Sequence, residues 1–142
     1  MSLYDPKTTA LISIDLQGFT GPFVQYTHAR ISSLLRKAAE GGISFEKSAG
    51  VIELDPVERE LIMQLYHFPS VIIESASKYE PSTLATYLYH LAKDYNHFYQ
   101  KLPVLNAEND AARSFRLRIS SFAAGVIRKG MDLLGITVPE RM

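Results

Sequence analysis

The chain has 142 residues, a length typical of one domain with a substantial core. Its formal net charge is zero, so the composition carries no overall nucleic-acid signature. The absence of cysteine excludes disulfides and thiolate chemistry and fits a reducing cytoplasm. No apolar run approaches the roughly 20 residues that cross a bilayer, and the start does not resemble a signal peptide. We therefore expect a cytoplasmic protein without a membrane partner.

The charge is distributed unevenly along the chain. Residues 1–80 carry 7 basic and 10 acidic side chains, whereas residues 81–142 carry 8 basic and 5 acidic ones. This is a weak indication of a basic face in the second part of the chain. Residues 1–3 resemble a cloning scar, so we expect the domain to span residues 4–142 and to come from a longer protein.

The first elements in chain order are a short strand-like segment and a long helix. Residues 10–16 alternate in polarity, and a turn over residues 17–21 leads into the helix. Thr20 can cap this helix, Pro22 suits its first turn, and Gly41 and Gly42 end it. At helical spacing its aliphatic side chains form one core-facing stripe: Val24, Ile31, Leu34, Leu35 and Ala38.

The second part of the chain predicts helices only. After a loop at 43–54, Asp55, Pro56 and Glu58 form the cap, first position and capping-box partner of a helix that ends near Pro69. A short helix follows over 70–77. Two long helices then cover about 80–102 and 109–134; their regularly spaced apolar positions include Leu84, Leu88, Leu91, Tyr95, Phe98, Phe115, Ile119, Phe122, Val126 and Leu133.

The fold class is therefore all-α, an antiparallel bundle of about four to five helices. Gly125 and Gly130 lie inside the last helix, where glycine is unfavourable by about 1 kcal/mol relative to alanine. A close approach between helices is the compensation that we expect there.

A second stripe on the first long helix bears on function. Phe23, Tyr26, Arg30 and Lys37 lie off its aliphatic face, and rings combined with cations suit single-stranded nucleic acid. The alternative, which periodicity alone favours, is that the two rings close a second core contact and that the charges are only solvated. We leave both interpretations open at this point.

Several blocks resemble the C-terminal anticodon-binding (DALR) domain of class I arginyl-tRNA synthetases. They are Thr20-Gly-Pro-Phe-Val-Gln-Tyr-Thr-His-Ala-Arg30, Glu58-Arg-Glu-Leu-Ile62, Tyr87-Leu-Tyr-His-Leu-Ala-Lys-Asp-Tyr-Asn96, Phe98-Tyr99, Pro103-Val-Leu105, Arg116-Leu-Arg118, and Gly130-Met-Asp-Leu-Leu-Gly135 through Pro139-Glu-Arg-Met142. The Asp-Ala-Leu-Arg element itself is absent, and Phe19 replaces an asparagine of the family's turn.

The resemblance implies anticodon contacts at Phe23, Tyr26 and Arg30 on the first long helix. It also implies contacts at Val104, in the loop after the helix that contains Phe98 and Tyr99, and at Met142 at the chain end. Val104 cannot stack as a ring does, so we expect apolar packing there. Stacking barely distinguishes bases, so we expect sequence to be read by Gln25, Asn106 or backbone groups of the 103–109 loop. We expect Arg30, Arg113 and Arg116 to contact phosphates.

The resemblance also implies a parent enzyme, an arginine-tRNA ligase that uses ATP and Mg in a separate catalytic domain. This chain carries no catalytic motif of that domain, and we expect it to hold no cofactor. The implied partners are the anticodon loop of arginine tRNA and the parent's own catalytic domain. The alternative is a helical protein–protein docking module in which Phe23 and Tyr26 anchor a partner protein.

Three other patterns favour structure over chemistry. His90, Asp94 and His97 have a spacing that can hold a metal, but they are more simply a solvated helix face. The tyrosines at 87, 89, 95 and 99 are expected mostly in helix contacts. Arg128 and Lys129 lie near a helix end, where cations are favourable without any ligand.

Overall fold

The computed structural model describes residues 20–46 and 50–142, and these contain five helices. They are α1 (Thr20–Glu40), α2 (Pro56–Tyr66), α3 (Phe68–Ser77), α4 (Pro81–Lys101) and α5 (Asp110–Leu133). The described residues contain no strand, so the prediction of an all-α bundle is confirmed. The strand-like segment at 10–16 and the turn before α1 lie outside the described residues.

α4 is the central helix of the bundle, since it packs against each of the other four. Its fully buried side chains follow the predicted spacing and include Leu88, Leu91, Tyr95 and Phe98. Tyr95 also donates a hydrogen bond of 2.9 Å to Ser120 on α5. The aliphatic stripe of α1 completes this core, because Val24, Ile31, Leu34 and Ala38 are all buried.

The ends of the helices follow local sequence signals. Asp55 caps α2 by accepting a 2.9 Å hydrogen bond from the Val57 amide. Gly42 and Gly135 follow α1 and α5 with φ of 72° and 78°, left-handed values that glycine adopts without strain. Within the described residues, no helix has both the length and the apolar character needed to cross a bilayer.

Three local predictions were wrong, wholly or in part. Phe122 and Leu133, two of the regularly spaced apolar positions predicted on α5, are 61% and 45% exposed. Glu58 is buried and pairs with Arg116, so it does not complete a capping box. A close approach occurs at Gly130, where a Cβ would lie 2.7 Å from Leu88 Cδ2, whereas a Cβ on Gly125 would meet nothing within 4 Å.

Candidate nucleic-acid interface

Tyr26 and Arg30 lie one turn apart on α1 and share a surface with Tyr99 of α4. The Arg30 guanidinium carbon is 5.4 Å from the centroid of the Tyr26 ring and 5.0 Å from that of Tyr99. Both distances are within the range of cation–π attraction. Tyr26 is 50% exposed and Tyr99 is 38% exposed, so each ring keeps surface that a ligand can reach.

A polar network holds Arg30 in this position. Its Nη1 donates to the Asn96 side-chain oxygen. The Asn96 amide nitrogen in turn donates to Thr27 Oγ1 and to the Ala92 carbonyl, each at 2.8 Å. Thr27 is fully buried and donates to the Phe23 carbonyl. Arg30 is thus fixed before any ligand arrives, which reduces the entropy lost on binding.

Tyr26, Arg30 and Tyr99 line one side of a cleft of about 450 Å³, which we call the α1–tail cleft. Another part of the wall is formed by Glu140, Arg141 and Met142, which belong to the tail, residues 134–142, that follows α5. Four basic side chains and one acidic side chain line the cleft, so its charge favours an anionic ligand. The lining residues are Tyr26, Ala29, Arg30, Ser33, Leu34, Arg36, Lys37, Tyr99, Leu105, Glu140, Arg141 and Met142.

The tail is attached to α1 by side-chain hydrogen bonds. Gln25 Nε2 donates to the Thr137 carbonyl at 3.0 Å, and Arg36 Nη1 donates to the Glu140 carbonyl at 3.3 Å. His28 Nδ1 lies 3.1 Å from the Pro139 carbonyl. Burial lowers the pKa of His28, and the bond to Pro139 opposes this shift only in part. The environment of His28 therefore favours the neutral imidazole.

Of the residues predicted to bind, the structure brings Tyr26, Arg30 and Met142 together around the cleft. Phe23 lies one turn before Tyr26 but is partly buried against the core, with its ring centroid 5.7 Å from that of Tyr89. It is not among the residues that line the cleft. The Gln25 amide nitrogen, expected to read a base, holds the tail instead.

The loop after α4 differs from the prediction at one residue. Val104 is 5% exposed and packs into the core, so it offers no surface for a base. Its neighbour Leu105 lines the cleft in its place. Asn106 is exposed, whereas Arg113 is half-buried and forms a 3.0 Å ion pair with Asp110.

Arg116, which was predicted to contact phosphates, is engaged in contacts within the protein. Its side chain is 4% exposed, and its two terminal nitrogens each donate at 2.9 Å to the Glu108 carboxylate. The same nitrogens reach the Pro103 carbonyl at 2.8 Å and the buried Glu58 carboxylate at 3.3 Å. Arg116 therefore holds the 103–109 loop onto α5, and its guanidinium is almost entirely shielded from solvent.

The histidine–aspartate pattern of α4 and its four tyrosines lie in different environments. Asp94 accepts a 3.1 Å hydrogen bond from Gln64, and burial raises its pKa. Among the residues that the structure describes, no group of three potential ligands could hold a metal ion. Tyr87 and Tyr95 are buried as expected. Their neighbour Tyr99 reaches the cleft, and sequence reasoning missed it because its spacing from Tyr95 is that of a core position.

Comparisons with known proteins identify the family to which the chain is similar. The sequence-family model described as the DALR anticodon binding domain matches residues 24–142 of this chain. An arginine-tRNA ligase of Bacteroides thetaiotaomicron is 49% identical over 140 residues, which are 98% of this chain and 23% of that protein. One of Phocaeicola vulgatus is 49% identical over 141 residues, covering 98% of this chain and 22% of the relative.

Solved structures give the same result. An arginyl-tRNA synthetase of Thermus thermophilus superposes with a TM-score of 0.74 and 36% identity, over 86% of this chain and 21% of that one. A putative arginyl-tRNA synthetase of Campylobacter jejuni, at 22% identity and a TM-score of 0.75, shares the fold over 90% of this chain and 28% of its own length. The fold and the matching sequences define an all-helical domain of the anticodon-binding kind.

The chain belongs to the DALR anticodon-binding domain family. It spans less than a quarter of the length of the curated relatives that it matches.

Proposed function

We propose that this domain binds the anticodon arm of an arginine tRNA in the α1–tail cleft. The observation that supports this most directly is the Arg30 guanidinium held between two partly exposed tyrosine rings, in a cleft where basic side chains outnumber acidic ones by four to one. Family membership gives independent support.

The proposed mechanism follows from the chemistry of an unpaired loop. Anticodon bases are single-stranded and can be splayed out and stacked on an aromatic ring. The exposed face of Tyr26 receives one base, and Arg30 and Tyr99 support that ring from behind. Arg36, Lys37 and Arg141 then lie along the cleft where the phosphates of the loop pass.

Discrimination between bases requires hydrogen bonds to base edges, because stacking is tolerant of sequence. We propose that Asn106 and backbone groups of the 103–109 loop bind the base edges. The half-buried Arg113 contacts a phosphate. Phe23 contributes the part of its ring that the core leaves exposed.

We further propose that the domain acts within a cytoplasmic arginine-tRNA ligase. The relatives carry this activity in proteins more than four times as long as the matched region. ATP and Mg²⁺ would be bound by a separate catalytic domain of the parent, which would charge the acceptor end while this domain holds the anticodon arm.

The direct test is a titration with the anticodon stem-loop of arginine tRNA, compared with a scrambled loop on the same stem. Tyr26→Ala removes the stacking ring, and one base–aromatic stack is worth about 1–3 kcal/mol, which is roughly 5- to 150-fold in affinity. The matched control is Tyr66→Ala, because Tyr66 is also strongly exposed but lies on α2, outside the cleft. Equal affinity of Tyr26→Ala and the parent chain, with both folded, would contradict the proposal.

Salt dependence separates this proposal from docking of a protein partner on the same rings. Binding to single-stranded nucleic acid releases counterions, and log K falls with log salt by about 0.7 per phosphate contacted. An apolar protein contact anchored by Phe23 and Tyr26 would be much less sensitive. A flat salt profile with an equally well-bound scrambled loop would favour the docking alternative.

A further inference from the structure

The last residues of the tail line the α1–tail cleft, although the tail contains no helix or strand. Its backbone reverses direction after α5 at Gly135, where the Gly135 and Ile136 amides donate to the Asp132 and Met131 carbonyls, each at 2.9 Å. Beyond that turn, Val138 is buried in the core. This anchor leaves four more residues to be directed toward the cleft.

Side chains of α1 bond to the tail along its length. Gln25, His28 and Arg36 bond to the carbonyls of Thr137, Pro139 and Glu140, respectively. The same helix carries Tyr26 and Arg30, so the tail is positioned relative to the helix that supplies the stacking ring. On its other side, the Glu140 carboxylate accepts a 3.1 Å hydrogen bond from Arg128 of α5.

His28 differs from the other bonding side chains because it is buried, with 1% of its surface exposed. A carbonyl oxygen can only accept, so Nδ1 must carry the hydrogen in its bond to Pro139. Water cannot easily replace this bond, whereas it can replace the bonds of the exposed Gln25 and Arg36 side chains. The bond also lies three residues before the end of the segment that brings Arg141 and Met142 to the cleft.

We propose that His28 is a positioning residue for nucleic-acid binding: by donating from Nδ1 to the Pro139 carbonyl, it places Arg141 and Met142 at the wall of the α1–tail cleft. This inference rests on the proposed function for its effect on RNA, but the position of the tail can be tested without RNA.

The first experiment compares two substitutions in the full chain. His28→Leu keeps a side chain of similar size but removes the donor. His28→Asn keeps an N–H donor, because Nδ2 of asparagine, like Nδ1 of histidine, is bonded to Cγ. We expect His28→Leu to weaken binding of the anticodon stem-loop about tenfold, and His28→Asn to restore most of it. The control His67→Leu changes an exposed histidine between α2 and α3.

A double-mutant cycle separates positioning from general damage to the fold. In a chain that ends at Glu140, the tail can no longer reach the ligand, so His28→Leu should cause no additional loss of affinity. If the losses from His28→Leu and from the truncation add fully, or if His28→Leu binds as tightly as the parent chain, the proposal is overturned.

The second readout is the backbone order of the tail, measured by ¹⁵N relaxation in the absence of RNA. We expect the Arg141 amide to have an order parameter near 0.8 in the parent chain and below about 0.6 in His28→Leu. An unchanged order parameter would overturn the proposal. If the parent chain bound no stem-loop, the proposed function would fail, and this measurement would still decide the role of His28.

If His28→Leu fails to fold, Gln25→Ala provides the second variant. It removes the exposed bond to Thr137 and leaves the core untouched. We expect a smaller decrease in the order of the tail, accompanied by a smaller loss of affinity of about twofold to threefold. No change in either measurement would count against a tail that is held by α1.

Discussion

Arg113 and Arg116 lie three residues apart on α5, but replacing each by methionine should affect a different property. Arg116→Met should lower the stability of the fold, whereas Arg113→Met should weaken RNA binding. Arg116→Met removes the partner of the buried Glu58 carboxylate, whose side chain is 3% exposed. Loss of one member of a buried ion pair destabilises a protein by about 3–5 kcal/mol, because the other charge stays buried and unpaired. The Pro103 carbonyl and Glu108 also lose their donor.

Arg113→Met should barely change stability. Its ion pair with Asp110 is on the surface, and such a pair on a helix is worth about 0.3–0.5 kcal/mol. If Arg113 contacts a phosphate, its loss should weaken stem-loop binding and reduce the salt slope by about 0.7.

Urea unfolding followed by circular dichroism measures the stability of both variants, and stem-loop titration over a salt series measures their binding. Glu58→Gln combined with Arg116→Met removes the unpaired charge, so this double variant should recover part of the lost stability and keep the parent salt slope. A single Arg116→Met variant within 1 kcal/mol of the parent chain would refute the burial argument. A reduced salt slope in the folded double variant would show that Arg116 does contact a phosphate.

The remaining predictions concern packing and pH. Gly125→Ala should stabilise the chain by up to about 1 kcal/mol through helix propensity, whereas Gly130→Ala forces a methyl group against the buried Leu88 at a cost of about 1–3 kcal/mol. Urea midpoints should therefore rank Gly125→Ala above Gly130→Ala, and the reverse order would show that the helices can separate freely. Because burial lowers the pKa of His28, the unfolded chain binds a proton more readily below about pH 6.5, so stability should fall as the pH decreases through that region. His28→Asn should lack this part of the slope in unfolding free energy measured from pH 7 to 5, and an identical slope would refute the assignment.

The five helices could be predicted from local patterns because each pattern contains its own physical cause. Apolar spacing identified the buried stripe of α1 and the core positions of α4, and Asp55, Gly42 and Gly135 marked helix ends close to where the structure has them. Phe122 failed this test, since periodicity gives the faces of a helix but does not say how wide the covered face is.

The candidate site could be predicted only in part. Tyr26 and Arg30 share a face of one helix, and their spacing alone predicts that they lie together. The position of Tyr99 beside Arg30 depends on how α4 packs against α1, and no local pattern contains that angle. Arg116 shows the same limit, because an arginine on a helix is read as exposed unless its buried carboxylate partner, 58 positions away along the chain, is known.

The sequence by itself determined which segments are helical, where they end, and that one helix carries a ring and a cation one turn apart. Only the tertiary structure decided that the tail folds back to face them and that Leu105 takes the place expected of Val104. The physical reason is range: helix formation depends on residues three and four positions apart, whereas the cleft is closed by hydrogen bonds between residues more than 100 positions apart, such as Gln25 with Thr137.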